Sequence, residues 1–257
     1  MMRSTTRIAL AAAFFLFGML PSSATATSIS IAVASNFAPA IRDIAAQFEV
    51  RSGQSVRIIS ASTGKLYAQI INGAPFDALF AADAERPQLL ETAGQGVAGS
   101  RFTYAIGRLV LWSRNPALNE SNCRTQLENL GQQRLAIANP AIAPYGMAAK
   151  ETLMSLDLWG RVESQLVVGE NIAQTLQFVS SGNAILGFIA GTQTLDARLP
   201  QATCHWPVPR ELHLPIEQQA ILLQRAANNS VVANFMAFLR SSAGRIIIER
   251  HGYALPN

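Results

Sequence analysis

The chain has 257 residues, 49% of them apolar and only 14% charged, a composition that excludes disorder and fits one or two globular domains. Its formal net charge is +4, with only two lysines, Lys65 and Lys150, among 20 basic residues and no run of four or more basic side chains. Charge balance therefore gives no support to nucleic-acid or acidic-membrane binding.

Residues 1–26 carry Arg3 and Arg7 without an acid, then an apolar run from Ile8 to Leu20, then small residues ending Ala24-Thr25-Ala26. This is the layout of a cleaved secretory signal peptide, and the apolar run of about 13 residues is too short to span a bilayer, which takes roughly 20. Cleavage after Ala26 lowers the net charge from +4 to +2. No later apolar stretch reaches spanning length, so an exported, soluble mature chain is expected. In an oxidising compartment the two cysteines, Cys123 and Cys204, are expected to pair. The other reading, a metal site from Cys204, His205 and His213, matches zinc ligand spacing poorly.

From Ser28 the sequence alternates and then stays apolar through Ala34, predicting a buried strand. Ser35-Asn36 forms a turn, and Phe37, Ile41, Ile44, Ala45 and Phe48 follow at helical spacing up to Gly53. The unit repeats as strand Ser55 to Ile59, turn Ser60 to Gly64 and a helix carrying Leu66, Ile70 and Ile71. A third strand, Asp77 to Ala82, leads to Asp83 and a short helix with Leu89 and Leu90. Three such units in succession predict an open α/β sheet with parallel crossovers, whose ligands gather at the carboxyl ends of the strands.

Phe102 to Trp112 is long for one strand and is predicted to cross from one sheet into another. The pattern then restarts with strand Leu135 to Ala138, turn Asn139 to Gly146 and a helix from Met147 through Leu153. Strand Leu166 to Val168, turn Gly169-Glu170-Asn171, a helix with Ile172, Leu176 and Val179, and strand Ala184 to Ile189 complete a second α/β lobe. A second long apolar segment, Leu214 to Leu223, returns the chain, and Val231, Phe235, Phe238 and Leu239 mark a C-terminal amphipathic helix. The expected division is one lobe from residues 27–107 with 217–257 and another from residues 108–216.

Four of these turns precede helices: Ser35-Asn36, Ser62-Thr63-Gly64, Asn139 to Gly146, and Gly169 to Ile172. A helix start offers unpaired N–H donors and partial positive charge, so several converging on one cleft can hold an oxyanion without a cationic side chain. Ser, Thr and Asn are also the ordinary helix caps, so any one turn taken alone reads first as capping, and only the four together bring the ligand reading level with it.

The residues that carry chemistry also carry a resemblance over nearly the whole mature chain. They are Ala32-Val33-Ala34-Ser35-Asn36-Phe37, Ser62 to Ile70 with Asn72-Gly73-Ala74-Pro75, Ala82-Asp83, Gly99 to Trp112, Asn139-Pro140 and Ala143-Pro144-Tyr145-Gly146. The chain resembles the periplasmic molybdate-binding proteins of ABC importers, within the type II periplasmic binding protein superfamily. The resemblance implies a two-lobed α/β clamp of two open sheets joined by crossing strands, binding molybdate or tungstate between the lobes through neutral donors. By position it implies Ser35, Asn36, Thr63 and Tyr145 as ligand residues, with the backbone N–H of Ile172. It implies no catalysis, no cofactor, a monomer, a periplasmic location and a membrane permease as partner. The second turn departs from the common Ser-Ser in having Ser62-Thr63, which keeps the hydroxyl. Ala190 stands where some relatives have a tyrosine, a role assigned to Tyr145.

A receptor for another oxyanion or a small organic acid on the same fold is the alternative, and a carboxylate ligand usually calls for an arginine clamp. Ser62-Thr63-Gly64-Lys65 also matches the S-x-x-K of penicillin-recognising serine enzymes, with Ser181-Gly182-Asn183 as a second element, but no K-[ST]-G strand exists. A phosphate loop fails because Ile59 and Leu66 stand where glycine and a hydroxyl residue are required. Arg101, Arg108 and Asp83 are expected in structural pairs or lobe contacts. His205, His213 and His251 are expected at the surface or packed, and Trp112 and Tyr104 in the core or hinge.

Overall fold

The computed structural model describes residues 28–256; the expected signal peptide, residues 1–26, lies outside them. Two five-stranded mixed sheets organise the chain. The first holds β1 (Ser28–Ala34), β2 (Ser55–Ala61), β3 (Ala78–Phe80), β4 (Phe102–Gly107) and β10 (Ile216–Leu222) in the order β2-β1-β3-β10-β4. Between β4 and β10 the chain builds the second sheet, in the order β7-β6-β8-β5-β9. Its strands are β5 (Leu109–Ser113), β6 (Leu135–Ala138), β7 (Leu166–Gly169), β8 (Leu186–Ala190) and β9 (Cys204–Pro207).

In each sheet the strands linked through helices are parallel: β1 with β2 and β3, and β6 with β7 and β8. The crossing strands run antiparallel, β10 against β3 and β4, and β5 against β8 and β9. β1 is covered on both faces, which is why Ile29, Ile31, Ala32 and Val33 are all fully buried and its second half reads as one apolar run. α1 (Ala38–Ser52), α8 (Ser230–Arg240) and α9 (Ser242–Arg250) cover one face around Ile41, Ile44, Phe235 and Ile248. α2 (Thr63–Ile71) and α3 (Glu85–Thr92) cover the other around Leu66, Ile70 and Leu90. The second sheet packs on one face against α4 (Cys123–Glu128), α5 (Pro144–Ser155) and α6 (Trp159–Val162), and on the other against α7 (Ile172–Ser180). Among the described residues no single helix is long and apolar enough to cross a membrane.

The structure corrects two expected elements and adds two that were not expected. The segment from Phe102 to Trp112 is two strands rather than one, parted at Arg108, each in a different sheet. The break lies where the ring of Tyr145 closes on Gly107, so that a Cβ there would sit 2.5 Å from the phenol oxygen. The A-P-Y-G helix starts at Pro144, not Met147; proline fits this first helical position because its fixed φ suits the helix and its missing N–H is not needed. The expected C-terminal helix is α8, and an unexpected further helix, α9, follows it: Ser241 ends α8 and its hydroxyl caps α9 by accepting from the Gly244 N–H. β9, unread in the sequence, pairs with β5 and brings Cys204 to Cys123, where the two form a disulfide.

Candidate functional site

The carboxyl ends of β1, β2, β6 and β7 face one another across the seam between the sheets, and the turns that follow them line a small cavity. Its walls include Ser35, Asn36, Ser62 and Thr63 from one side and Ala143, Tyr145, Asn171 and Ile172 from the other. All five residues singled out by the resemblance therefore meet at one place, although they are spread over 138 positions of sequence. No lysine, arginine, aspartate or glutamate lines it.

Each turn is held so that a polar hydrogen is left over. Thr63 Oγ1 accepts the N–H of Ala82 at 3.0 Å, which ties α2 to the end of β3 and leaves the Thr63 proton free to point elsewhere. At α7, Asn171 caps the helix by accepting from the N–H groups of Ala173 and Gln174, and its carbonyl takes that of Thr175. The Ile172 N–H, first in the helix, is left without an acceptor among the described residues and lines the cavity. α5 needs its glycine: a Cβ on Gly146 would overlap the Ala138 carbonyl at the end of β6, so only glycine lets the helix begin this close to the strand.

The Asn36 side chain is engaged within the protein. Its amide nitrogen donates to Gln218 Oε1 at 2.7 Å and to the Tyr253 hydroxyl at 3.1 Å, and Tyr253 in turn donates to the Asn36 carbonyl at 2.8 Å. The Asn36 side chain thus builds the wall, and its backbone N–H is the group left for a ligand. Phe37 anchors the same turn by packing its ring, tilted by 45°, 4.4 Å from that of Tyr104.

Gln218, on β10 and fully buried, sets the direction of the Tyr145 hydroxyl. Because its Oε1 receives Asn36 and Tyr104, its Nε2 faces Tyr145 and approaches the phenol oxygen at 3.4 Å. The phenol oxygen therefore receives, and its own proton is left for the cavity. Burial pushes the Tyr145 and Tyr104 phenols well above their ordinary 10 and Tyr253 up to about 12, so all three remain neutral hydroxyls at physiological pH. Sequence reasoning missed Gln218; the signal was two adjacent glutamines, Gln218-Gln219, inside an otherwise apolar strand.

Three contacts cross the cleft beside the cavity. The Gly64 N–H donates to the Ile142 carbonyl at 2.8 Å, Lys65 pairs with Glu170 at 2.6 Å, and Arg86 reaches the Ala141 carbonyl at 3.4 Å. Lys65 thus bonds Glu170 and not Ser62, whose hydroxyl has no partner, so the base contact that an S-x-x-K nucleophile requires is not made. Asp83 pairs with Arg86 and Arg101 with Glu91, as expected of structural ion pairs; burial raises the Asp83 carboxyl despite the opposing pull of Arg86. Trp112 and Tyr104 are buried, and His251 bonds Asp43 away from the cavity.

Comparison with known proteins agrees with this geometry. The family model described as bacterial extracellular solute-binding protein matches residues 29–254. The molybdate-binding protein ModA of Azotobacter vinelandii is 42% identical over 239 residues, covering 93% of this chain and 94% of its own. That of Rhodobacter capsulatus is 37% identical, covering 90% and 89%. The solved periplasmic molybdate-binding protein of Azotobacter vinelandii superposes with a TM-score of 0.82 at 36% identity, over 89% of this chain and all of the other.

Proposed function

The chain belongs to the molybdate-binding branch of the bacterial extracellular solute-binding proteins, and from that membership we propose that it is the extracytoplasmic receptor of an ABC importer. It binds molybdate, and tungstate with it, in the cavity between the two sheets, acts as a monomer in the periplasm without catalysis or cofactor, and hands its cargo to a membrane permease. The observation that carries the reading is the convergence of four helix-start turns on one cavity lined by hydroxyls and N–H groups and by no charged side chain.

In this reading the donors are the Ser35 hydroxyl, the Asn36 N–H, the Thr63 hydroxyl, the Tyr145 hydroxyl and the Ile172 N–H. Residues 27–107 with 217–257 form one lobe and residues 108–216 the other, a division supported by the change of sheet at Arg108 and the return at Ile216. Donors from both lobes must reach one ion, so binding and closure are the same event, and the Gly64 and Lys65 contacts form with it. Neutral donors at helix starts stabilise a dianion by aligned dipoles without binding it as tightly as an ion pair would. An anion too small for the shell leaves donors unpaired at about 1–3 kcal/mol each, which disfavours sulfate. Protonated phosphate would present a hydrogen to donors. The arginine clamp of an organic-acid receptor is missing from the walls.

Isothermal titration of the mature protein with molybdate, tungstate, sulfate and phosphate tests this. One-to-one saturation by molybdate and tungstate alone is expected. A folded protein giving no heat with molybdate, or preferring sulfate, overturns it.

A further inference from the structure

Ser62 is the N-terminal flanking residue of α2, the position where serine ordinarily caps a helix, yet its side chain makes no cap bond. The residue is 3% exposed and lines the cavity, and its Oγ is buried without a hydrogen-bond partner among the described residues. Buried hydroxyls are almost always paired, so an unpaired one facing a cavity calls for an explanation. The fold does not use it. The Ser62 carbonyl, not its hydroxyl, accepts the Leu66 N–H that closes the first turn, Thr63 ties α2 to Ala82, and Lys65 is engaged by Glu170.

We propose that Ser62 is a further ligand residue: its hydroxyl donates to an oxygen of the bound oxyanion and helps set which anion fits. This rests on the receptor reading above and adds to it a donor that none of the positions assigned there supplies. With Thr63 it gives the second turn two hydroxyls in succession at the positively polarised end of α2. An anion with short bonds to its oxygens cannot reach Ser62 while keeping the donors of the opposite wall, whereas one of molybdate size reaches both.

The test compares the wild-type protein with Ser62→Ala by isothermal titration with molybdate and with sulfate, and by thermal unfolding without ligand. The expected result is molybdate affinity reduced by about tenfold or more and a narrowed preference over sulfate. The ligand-free melting temperature should be unchanged or higher, because an unpaired buried hydroxyl has been removed. Molybdate affinity equal to wild type overturns the assignment alone. A loss of affinity matched by a loss of ligand-free stability also overturns it, since Ser62 would then be structural. A wild-type protein that does not bind molybdate removes the receptor reading and the assignment together.

Discussion

Replacing Gly64 by alanine should separate ligand affinity from fold stability. A Cβ at Gly64 would lie 2.9 Å from the Ile142 Cα and 3.0 Å from its carbonyl oxygen, where ordinary contact begins at 3.4 Å. The obstruction is backbone, which no rotamer change can move, so the wall carrying Ile142 must recede by about 0.5 Å. That stretches the 2.8 Å hydrogen bond from the Gly64 N–H to the Ile142 carbonyl past its useful range. The lost bond costs about 0.5–1.5 kcal/mol, and the donors of the two walls no longer close on a common ion, each mismatched donor adding a similar amount. A molybdate affinity about 10- to 100-fold weaker is expected, at 1.4 kcal/mol per factor of ten. Gly64 is also the second residue of α2, where alanine is the better helix former by up to about 1 kcal/mol, so ligand-free stability should hold or rise. Titration calorimetry with molybdate and thermal unfolding without it read the two quantities. Affinity within twofold of wild type, or a parallel fall in both, would refute the argument that Gly64 serves closure.

Tyr145→Phe removes the hydroxyl that Gln218 fixes and leaves the Gln218 amide facing a ring; molybdate affinity should fall by about 10- to 100-fold, corresponding to roughly 1.5–3 kcal/mol for a hydrogen bond to an ion, and an unchanged titration would remove Tyr145 from the ligand set. Reduction of the Cys123–Cys204 disulfide, which bridges 81 positions, should cost about 2–4 kcal/mol and lower the melting temperature by roughly 5–15 °C, while molybdate titration of the reduced folded protein stays the same because the bridge joins α4 to β9, outside the cavity walls. Ultraviolet titration should find the Tyr104, Tyr145 and Tyr253 phenols still protonated at pH 11. The fold prefers their neutral forms, so the stability they contribute is complete below pH 10, the unfolded value, and is lost as pH rises from there through the raised folded values, about 12 for Tyr253; early ionisation of three tyrosines would contradict their burial.

What was legible in the sequence was whatever depends on near neighbours. The runs at Ile29 to Ala34 and Leu135 to Ala138, the helical spacing of Phe37, Ile41, Ile44 and Phe48, and the Ser, Thr and Asn turns between them read directly, because burial of a strand or a helix face imposes a short period on the chain. The same turns made an oxyanion site readable in outline, since helix starts have donors to give wherever they occur. The resemblance then selected Ser35, Asn36, Thr63, Tyr145 and Ile172 from among many polar residues, which periodicity could not have done.

Tertiary structure decided what depends on residues far apart in sequence. The break at Arg108 follows from a ring 38 positions away resting on Gly107, and β9 has too little apolar pattern to announce a strand before β5 is there to pair with it. The direction of the Tyr145 proton depends on Gln218, and that of Gln218 on Asn36 and Tyr104, a chain of donors and acceptors that joins four separate segments. Ser62 reads as a cap until the hydroxyl is seen to cap nothing. The physical reason is common to all of these: a hydrogen bond or a steric contact is a relation between two atoms in space, and the sequence names only one of them at a time.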